Sequence, residues 1–278
     1  MRVDIVIGQN APHQATIGRA MAEGLARHGV RCAVVTAGSA AVTADIVCCW
    51  GWRQGQIHRA RGRRVLLMER GYVDRMRWCS LGWDGLNGRA RFPGCLDDGR
   101  RWHANFPGRL KWRDGDGFGY ALVLGQVAGD AAVRGVRLES WYARAAARLG
   151  ETTGLPVLFR PHPNVLRREQ PRPAIQLHGL DVLCGSLDDA LAGAAAVASY
   201  NSNSLTDAAL AGVPLLAGDK GAMAWSIAGQ GLDAEPALGD RIPWCYRLAW
   251  CQWLPEEIAS GAAWDALRTV MEPATEVA

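Results

Sequence analysis

The sequence predicts an α/β protein of two domains, each built on a parallel sheet and the two facing a cleft. Three observations carry that expectation. Short apolar runs alternate with helical periodicity from residue 3, and the pattern starts afresh at residue 120. The runs are apolar without strict alternation, as in strands covered on both faces. A chain of 278 residues is long for one compact domain and suits two. The divisions fall at 1–117, 118–254 and 255–278, the last a helical tail that packs back on the first domain.

Each element follows from its residues. Residues 3–8 form a strand that breaks at Gly8-Gln9-Asn10-Ala11-Pro12. Ile17, Ala20, Met21, Gly24 and Leu25 then fall at helical spacing, and the helix stops near Gly29. Residues 30–36, 45–50 and 63–69 read as strands, with a short polar helix at 54–61. From Gly71 to Gly117 the periodicity dissolves into Gly, Arg and Trp, as in Gly82-Trp83-Asp84-Gly85-Leu86-Asn87-Gly88-Arg89. Tyr72, Trp78, Trp83, Trp102, Trp112 and Tyr120 argue against disorder there, so the stretch reads as an ordered acceptor-side loop. In the second domain, residues 120–125, 156–160, 195–199 and 213–216 read as strands. Residues 138–149, 187–192 and 204–211 read as helices, as does the tail over 255–270.

Composition narrows the class. With 49% apolar and 21% charged residues, the chain reads as a soluble globular protein. No apolar stretch suffices to span a bilayer, and a strand begins at once, leaving no signal peptide. The expectation is a cytoplasmic monomer with no membrane contact. The eight cysteines form no Cys-x-x-Cys pair, which favours buried thiols over disulfides, and Cys79, Cys95 and His103 match no zinc spacing. Charge is uneven: residues 1–118 hold 19 Lys+Arg against 10 Asp+Glu, and residues 119–278 hold 12 against 17. A basic half suggests a large anionic partner, nucleic acid first. Because only Lys111 and Lys220 are lysines, a genome that encodes arginine freely explains part of the same excess.

Three loops carry the chemistry. Ser199-Tyr200-Asn201-Ser202-Asn203-Ser204-Leu205-Thr206-Asp207 follows an apolar strand and opens a helix at Asn203 or Ser204. The N–H groups of a helix start bind anions, the Ser and Asn side chains add donors, and Asp207 in the first turn can accept from ribose hydroxyls. Ordinary helix capping would also use such residues, though fewer of them. Arg160-Pro161-His162-Pro163 ends another strand, where open α/β sheets bind ligands. Arg160 can grip a diphosphate bidentately, and His162 can donate to a phosphate or leaving group. Gly125-Gln126-Val127-Ala128-Gly129-Asp130 is the third strand end, with Gln126 and Asp130 available to a donor. In the first domain Glu69, Asp84 and His13 are candidate bases. Their plainer roles are a salt bridge to Arg70, an Asp-Gly turn and a helix-start residue. No Walker A loop and no Gly-x-Gly-x-x-Gly follows the first strand, which weakens kinase, ATPase and dehydrogenase readings.

Arg160-Pro161-His162-Pro163 together with the 199–214 segment resembles the donor half of GT-B glycosyltransferases, enzymes of two Rossmann-like domains. That resemblance covers residues 120–230 and implies that Asp207 holds the nucleotide ribose. The Arg-Pro-His-Pro element is similar to that of capsule-polysaccharide and glycerophosphate transferases. Met68-Glu69-Arg70-Gly71-Tyr72, the 80–88 segment and Gly125–Asp130 resemble phage glycosyltransferases that modify 5-hydroxymethylpyrimidine bases in DNA. The longer Gly-rich phosphate loop of many GT-B enzymes is absent. The resemblance implies a metal-free, cofactor-free transfer from a nucleotide sugar, UDP-linked, to double-stranded DNA held by the basic half. The site would then lie in the host cytoplasm. A surface-polysaccharide transferase and a non-catalytic nucleotide- or DNA-binding module are the alternatives.

Overall fold

The computed structural model describes residues 1–39, 41–113, 118–163 and 179–271. The chain divides into two compact units, residues 1–101 with 246–278, and residues 102–245. The expected division after Gly117 falls outside the described residues. Side chains on both sides of it belong to the second unit. Arg241 donates to the carbonyls of Lys111 (2.7 Å) and Ala209 (3.0 Å), and Arg113 donates to those of Ala194 and Ala192.

The first unit holds β1 (Arg2–Ile7), α1 (Pro12–Arg27), β2 (Arg31–Thr36), β3 (Ile46–Trp50), α2 (Trp52–Arg59), β4 (Arg64–Arg70) and β5 (Cys79–Trp83). Its sheet runs β12-β5-β4-β3-β1-β2, where β12 is Gln252–Trp253 near the C-terminus. β1 to β4 are mutually parallel. β5 and β12 are antiparallel, so the sheet is mixed rather than wholly parallel.

The 71–117 segment is therefore not one acceptor-side loop. It contains β5, a 3-10 turn at Asn87–Arg89 and α3 (Arg100–Asn105). Tyr72, Trp78, Trp83 and Trp102 are buried, and only Trp112 of the expected set stands out at 68% exposure. The tail forms two helices, α8 (Pro255–Ala259) and α9 (Ala262–Arg268), hinged at Gly261 with φ +89°. Leu267 and Trp264 join the core of β1, α1 and β5. α1 crosses α8 so closely that a Cβ on Gly24 would meet the carbonyl oxygen of Ile258.

In the second unit β6 (Tyr120–Leu124), α4 (Leu138–Thr153), β7 (Val157–Arg160) and β8 (Asp181–Val182) come first. α5 (Leu187–Ala192), β9 (Ala194–Ser199), α6 (Ser204–Ala211), β10 (Leu215–Ala217), β11 (Gly229–Gln230) and α7 (Arg241–Ala249) complete it, α7 crossing the division. All strands are parallel in the order β11-β10-β9-β6-β7-β8. Counted from β6, that is the doubly wound dinucleotide-binding order 3-2-1-4-5-6. Leu122, Val123, Val197 and Ala198 are fully buried, which explains why these strands read as continuous apolar runs. Cys95 and Cys184 are exposed, against the expectation of buried thiols, and all eight cysteines are free. Among the described residues no helix is long and apolar enough to cross a membrane.

Candidate functional site

In a doubly wound sheet, ligands bind at the carboxyl ends of the strands where the strand order reverses. In the second unit the reversal lies between β6 and β9. The loops after those strands are the ones rich in Gln, Asn and Ser. Ser199, completely buried, donates from Oγ to the carbonyl of Leu124 (2.9 Å) and ties the two strand ends together. Two residues on, Gln126 Nε2 donates to Asn201 Oδ1 (2.9 Å), and the Asn201 N–H donates back to Gln126 Oε1 (3.0 Å). Asn201 Nδ2 then donates to the carbonyl of Ala132 (2.9 Å) and to Asp219 Oδ1 (3.0 Å).

Gln126, Ser199 and Asn201 thus clamp the loops instead of offering their side-chain groups to a ligand. Asp130 accepts from the Ala132 N–H (3.1 Å) and caps a short 3-10 turn. The clamp sets the entry to α6. Ser202 Oγ accepts the Ser204 N–H (3.2 Å) and lies 2.6 Å from Ser204 Oγ, so Ser202 acts as the local cap while Asn203 already has helical backbone angles. Ser202, Asn203, Ser204 and Asp207 are partly exposed around this helix start. A hydroxyl pair, an amide, the positive end of a helix and one carboxylate are the groups a phosphorylated sugar-bearing ligand needs.

Arg160 ends β7, and its main-chain oxygen accepts the Gly125 N–H (2.8 Å). A Cβ on Gly125 would press on Phe159 Cζ (2.9 Å) and on His162 N (3.3 Å), so only glycine lets β6 and β7 close here. The Arg160 guanidinium leans away from α6, its Nη2 donating to the carbonyl of Gly185 after β8 (2.9 Å). Its Nε is buried without a hydrogen-bond partner among the described residues. His162 follows, half-buried. The structure therefore joins the 125–126 and 199–201 loops directly and seats Arg160 and His162 on the adjoining strand end. Asp219 and Tyr142, whose Oη accepts the Gln126 N–H (2.7 Å), complete the clamp. Sequence reasoning missed both. The Gly218-Asp219-Lys220-Gly221 turn after β10 was the available signal, and Gly218 abuts the Trp141 ring (2.6 Å to its would-be Cβ).

The first unit reverses its strand order between β1 and β3. There His13, in the first turn of α1, meets Trp50 edge-on with ring centroids 5.0 Å apart. Arg70 lies over the same indole, 6.0 Å from its centroid. Glu69 precedes Arg70 on β4, with Oε1 about 4.0 Å from the position a Cβ would take on Gly51. Partial desolvation, and then the positive charge of Arg70, hold the pKa of the largely exposed His13 below the ordinary 6.5, leaving a neutral imidazole at neutral pH. His13 and Glu69 therefore share one edge around Trp50.

Asp84 stands on the opposite edge. β5 is antiparallel, so its end lies at the start of β4. The carboxylate there accepts the Val65 N–H (2.9 Å) and pairs with Arg91 (2.9 Å), in a turn with φ +54°. The Asp-Gly turn is its role in the fold, and it is separated from the other two candidate bases.

No protein-family model matches the chain, and no curated protein matches it in sequence. Solved structures do share its fold. KpsC from Thermosulfurimonas dismutans, described as a beta Kdo 2,4 transferase, is 13% identical with a TM-score of 0.56, covering 88% of this chain and 89% of its own. The beta Kdo 2,7 transferase of the same organism's KpsC is also 13% identical with a TM-score of 0.52, covering 97% and 100%. At this identity the likeness is one of fold, two α/β units each built on its own sheet.

Proposed function

We propose that the chain is a glycosyltransferase that moves a sugar from a nucleoside diphosphate sugar to an acceptor hydroxyl. The observation that carries the reading is the α6 entry. A clamped loop presents Ser202, Asn203, Ser204 and Asp207 at the helix start, where the strand order of a 3-2-1-4-5-6 sheet reverses. In this reading the helix start and the hydroxyl pair hold the diphosphate, and Asp207 accepts from the ribose hydroxyls. His162 donates to the leaving phosphate as the glycosidic C–O bond breaks. Arg160 adds positive charge on the adjoining strand end, its Nη2 held by the Gly185 carbonyl (2.9 Å). In the first unit neutral His13 is the candidate base for an acceptor hydroxyl. Glu69 is the second candidate for that role, and Trp50 gives the acceptor an apolar surface.

The acceptor divides into two readings. A hydroxymethylated pyrimidine in DNA rests on the motif resemblance around Met68–Tyr72 and Gly125–Asp130. A sugar-chain hydroxyl is supported by the two solved chains that share the fold, both described as Kdo transferases. Labelled nucleotide sugars incubated with hydroxymethylated duplex, plain duplex and polysaccharide separate them. Transfer to one acceptor, lost by at least about a hundredfold in Asp207→Ala, is the expected result. Binding of nucleotides without transfer to any acceptor would leave only the non-catalytic module.

A further inference from the structure

Part of the first unit's basic charge is gathered on one edge of its sheet. β1, β2 and β4 begin with Arg2, Arg31 and Arg64, and parallel pairing brings these starts to one edge. Arg2 is the register partner of Arg31, Ile46 of Arg64, and Trp83, at the end of β5, of Arg91. Adjacent strands are about 4.8 Å apart, so the row from β2 to β5 runs about 19 Å. Arg59 and Arg61, at the end of α2, add to it, and both are exposed.

Several of these side chains are fixed. Arg59 donates to the Asp84 carbonyl (2.6 Å), Arg91 to the Asp84 carboxylate and the Met271 carbonyl, and Arg64 lies over the Trp83 ring (5.6 Å). This edge is opposite to the one carrying His13, Trp50 and Glu69.

The geometry points to a docking surface for duplex nucleic acid along this row, separate from the acceptor edge. Arg91 and Arg2 are paired with the Asp84 and Asp4 carboxylates, and the guanidinium groups of Arg31, Arg59, Arg61 and Arg64 suit a polymer of regularly spaced phosphates, to which arginine bonds bidentately. A duplex laid along about 19 Å of edge presents roughly eleven phosphate charges. A bilayer surface rewards mobile lysines and inserted aromatic chains. The row contains neither, and the large apolar side chains exposed near it are Met1 and Ile57, the latter in the last turn of α2. The surface would hold the enzyme on a nucleic-acid polymer and raise the local concentration of anything attached to that polymer. It does not depend on the donor site.

The test is fluorescence anisotropy of a 20-base-pair duplex against the full chain over a salt series. Binding at 50 mM salt is expected, with log K falling against log salt at a slope of about −4 if four to five phosphates are neutralised. Arg31→Glu with Arg61→Glu should weaken it at least about tenfold and flatten the slope. Arg31→Gln with Arg61→Gln serves if the reversal disturbs folding. Arg75→Glu with Arg77→Glu, in the exposed turn on the other edge, should leave duplex affinity within about twofold. The proposal is overturned by no duplex binding at low salt, by equal loss in the two pairs, or by an unchanged Arg31/Arg61 variant. Capture by phosphatidylserine vesicles in place of the duplex overturns it equally.

Discussion

His13 makes the sharpest statement about a single residue. Partial desolvation and Arg70 depress its pKa, so protonation is resisted until below the ordinary imidazole value of 6.5. A transferase using it as base should keep kcat/KM level down to that pH and lose activity only beneath it. An acid limb centred above 6.5 would remove His13 from the role, and His13→Ala should cut kcat about a hundredfold or more. Asp4 is a second titrating group, wholly inside the fold. Burial alone would raise its pKa, but the N–H groups of Ala44 and Thr43 and the charge of Arg2 outweigh that, and the net shift is downward. A depressed carboxylate contributes stability present above the unfolded value of 3.8 and lost as pH falls through the folded one. Acid denaturation of Asp4→Asn should therefore be shallower than that of the parent, read by circular dichroism. Thr206 is wholly buried and its hydroxyl has no hydrogen-bond partner among the described residues. Thr206→Val should raise stability by about 1 kcal/mol, and a lowered melting temperature would show that the hydroxyl is satisfied in solution. At this scale the sequence was a partial guide. His13 and Glu69 were candidates by their place beside strand ends, and the fold puts both on one edge, but nothing local reveals that β5 is antiparallel and carries Asp84 to the other.

Among the elements, the clamp between the β6 and β9 loops decides whether α6 is presented at all. Asn201 bonds to Gln126, Ala132 and Asp219 at once. Asn201→Ala leaves several of these groups without partners. It should weaken nucleotide binding at least about tenfold and lower stability by about 2 kcal/mol, measured by calorimetry and thermal melting. Retained affinity would mean that α6 is positioned by its own core residues. In the first unit, Gly24→Ala should destabilise by about 1–3 kcal/mol or more, because α8 can yield only by shifting backbone. β1, α1, β6, β9 and α6 were legible because apolar runs end at Gly, Ser or Pro, and periodicity marks each helix. β5, β12 and α7 were not. Two-residue β12 is defined by pairing with β5, 172 residues earlier in Gln252↔Ser80. The tryptophans near it exist for a cage: Arg101 lies 4.4 Å from the Trp253 ring centroid and 5.0 Å from that of Trp250, and pairs with Glu257. Such a cage looks in sequence like an aromatic loop awaiting a ligand.

For the molecule as a whole, each unit gathers its polar strand-end residues where its strand order reverses: Trp50 with His13 in one unit, Gln126 with Asn201 in the other. Of the arginines that suggested a nucleic-acid acceptor, Arg2, Arg31 and Arg64 begin strands on the edge of the first sheet away from His13, while Arg70 lies beside Trp50 on the His13 edge. The division of the chain was misplaced by its loops, because Arg113 and Arg241 draw the polar 109–113 stretch onto the second unit through main-chain carbonyls. The central claim is that the α6 entry holds a nucleoside diphosphate. Hydrogen–deuterium exchange with and without saturating uridine, cytidine or guanosine diphosphate tests it most directly. Slowed exchange concentrated at residues 199–207 and 160–162, and abolished in Asp207→Ala, is the predicted footprint. Protection confined to the first unit, or an unchanged pattern with every nucleotide, would contradict it.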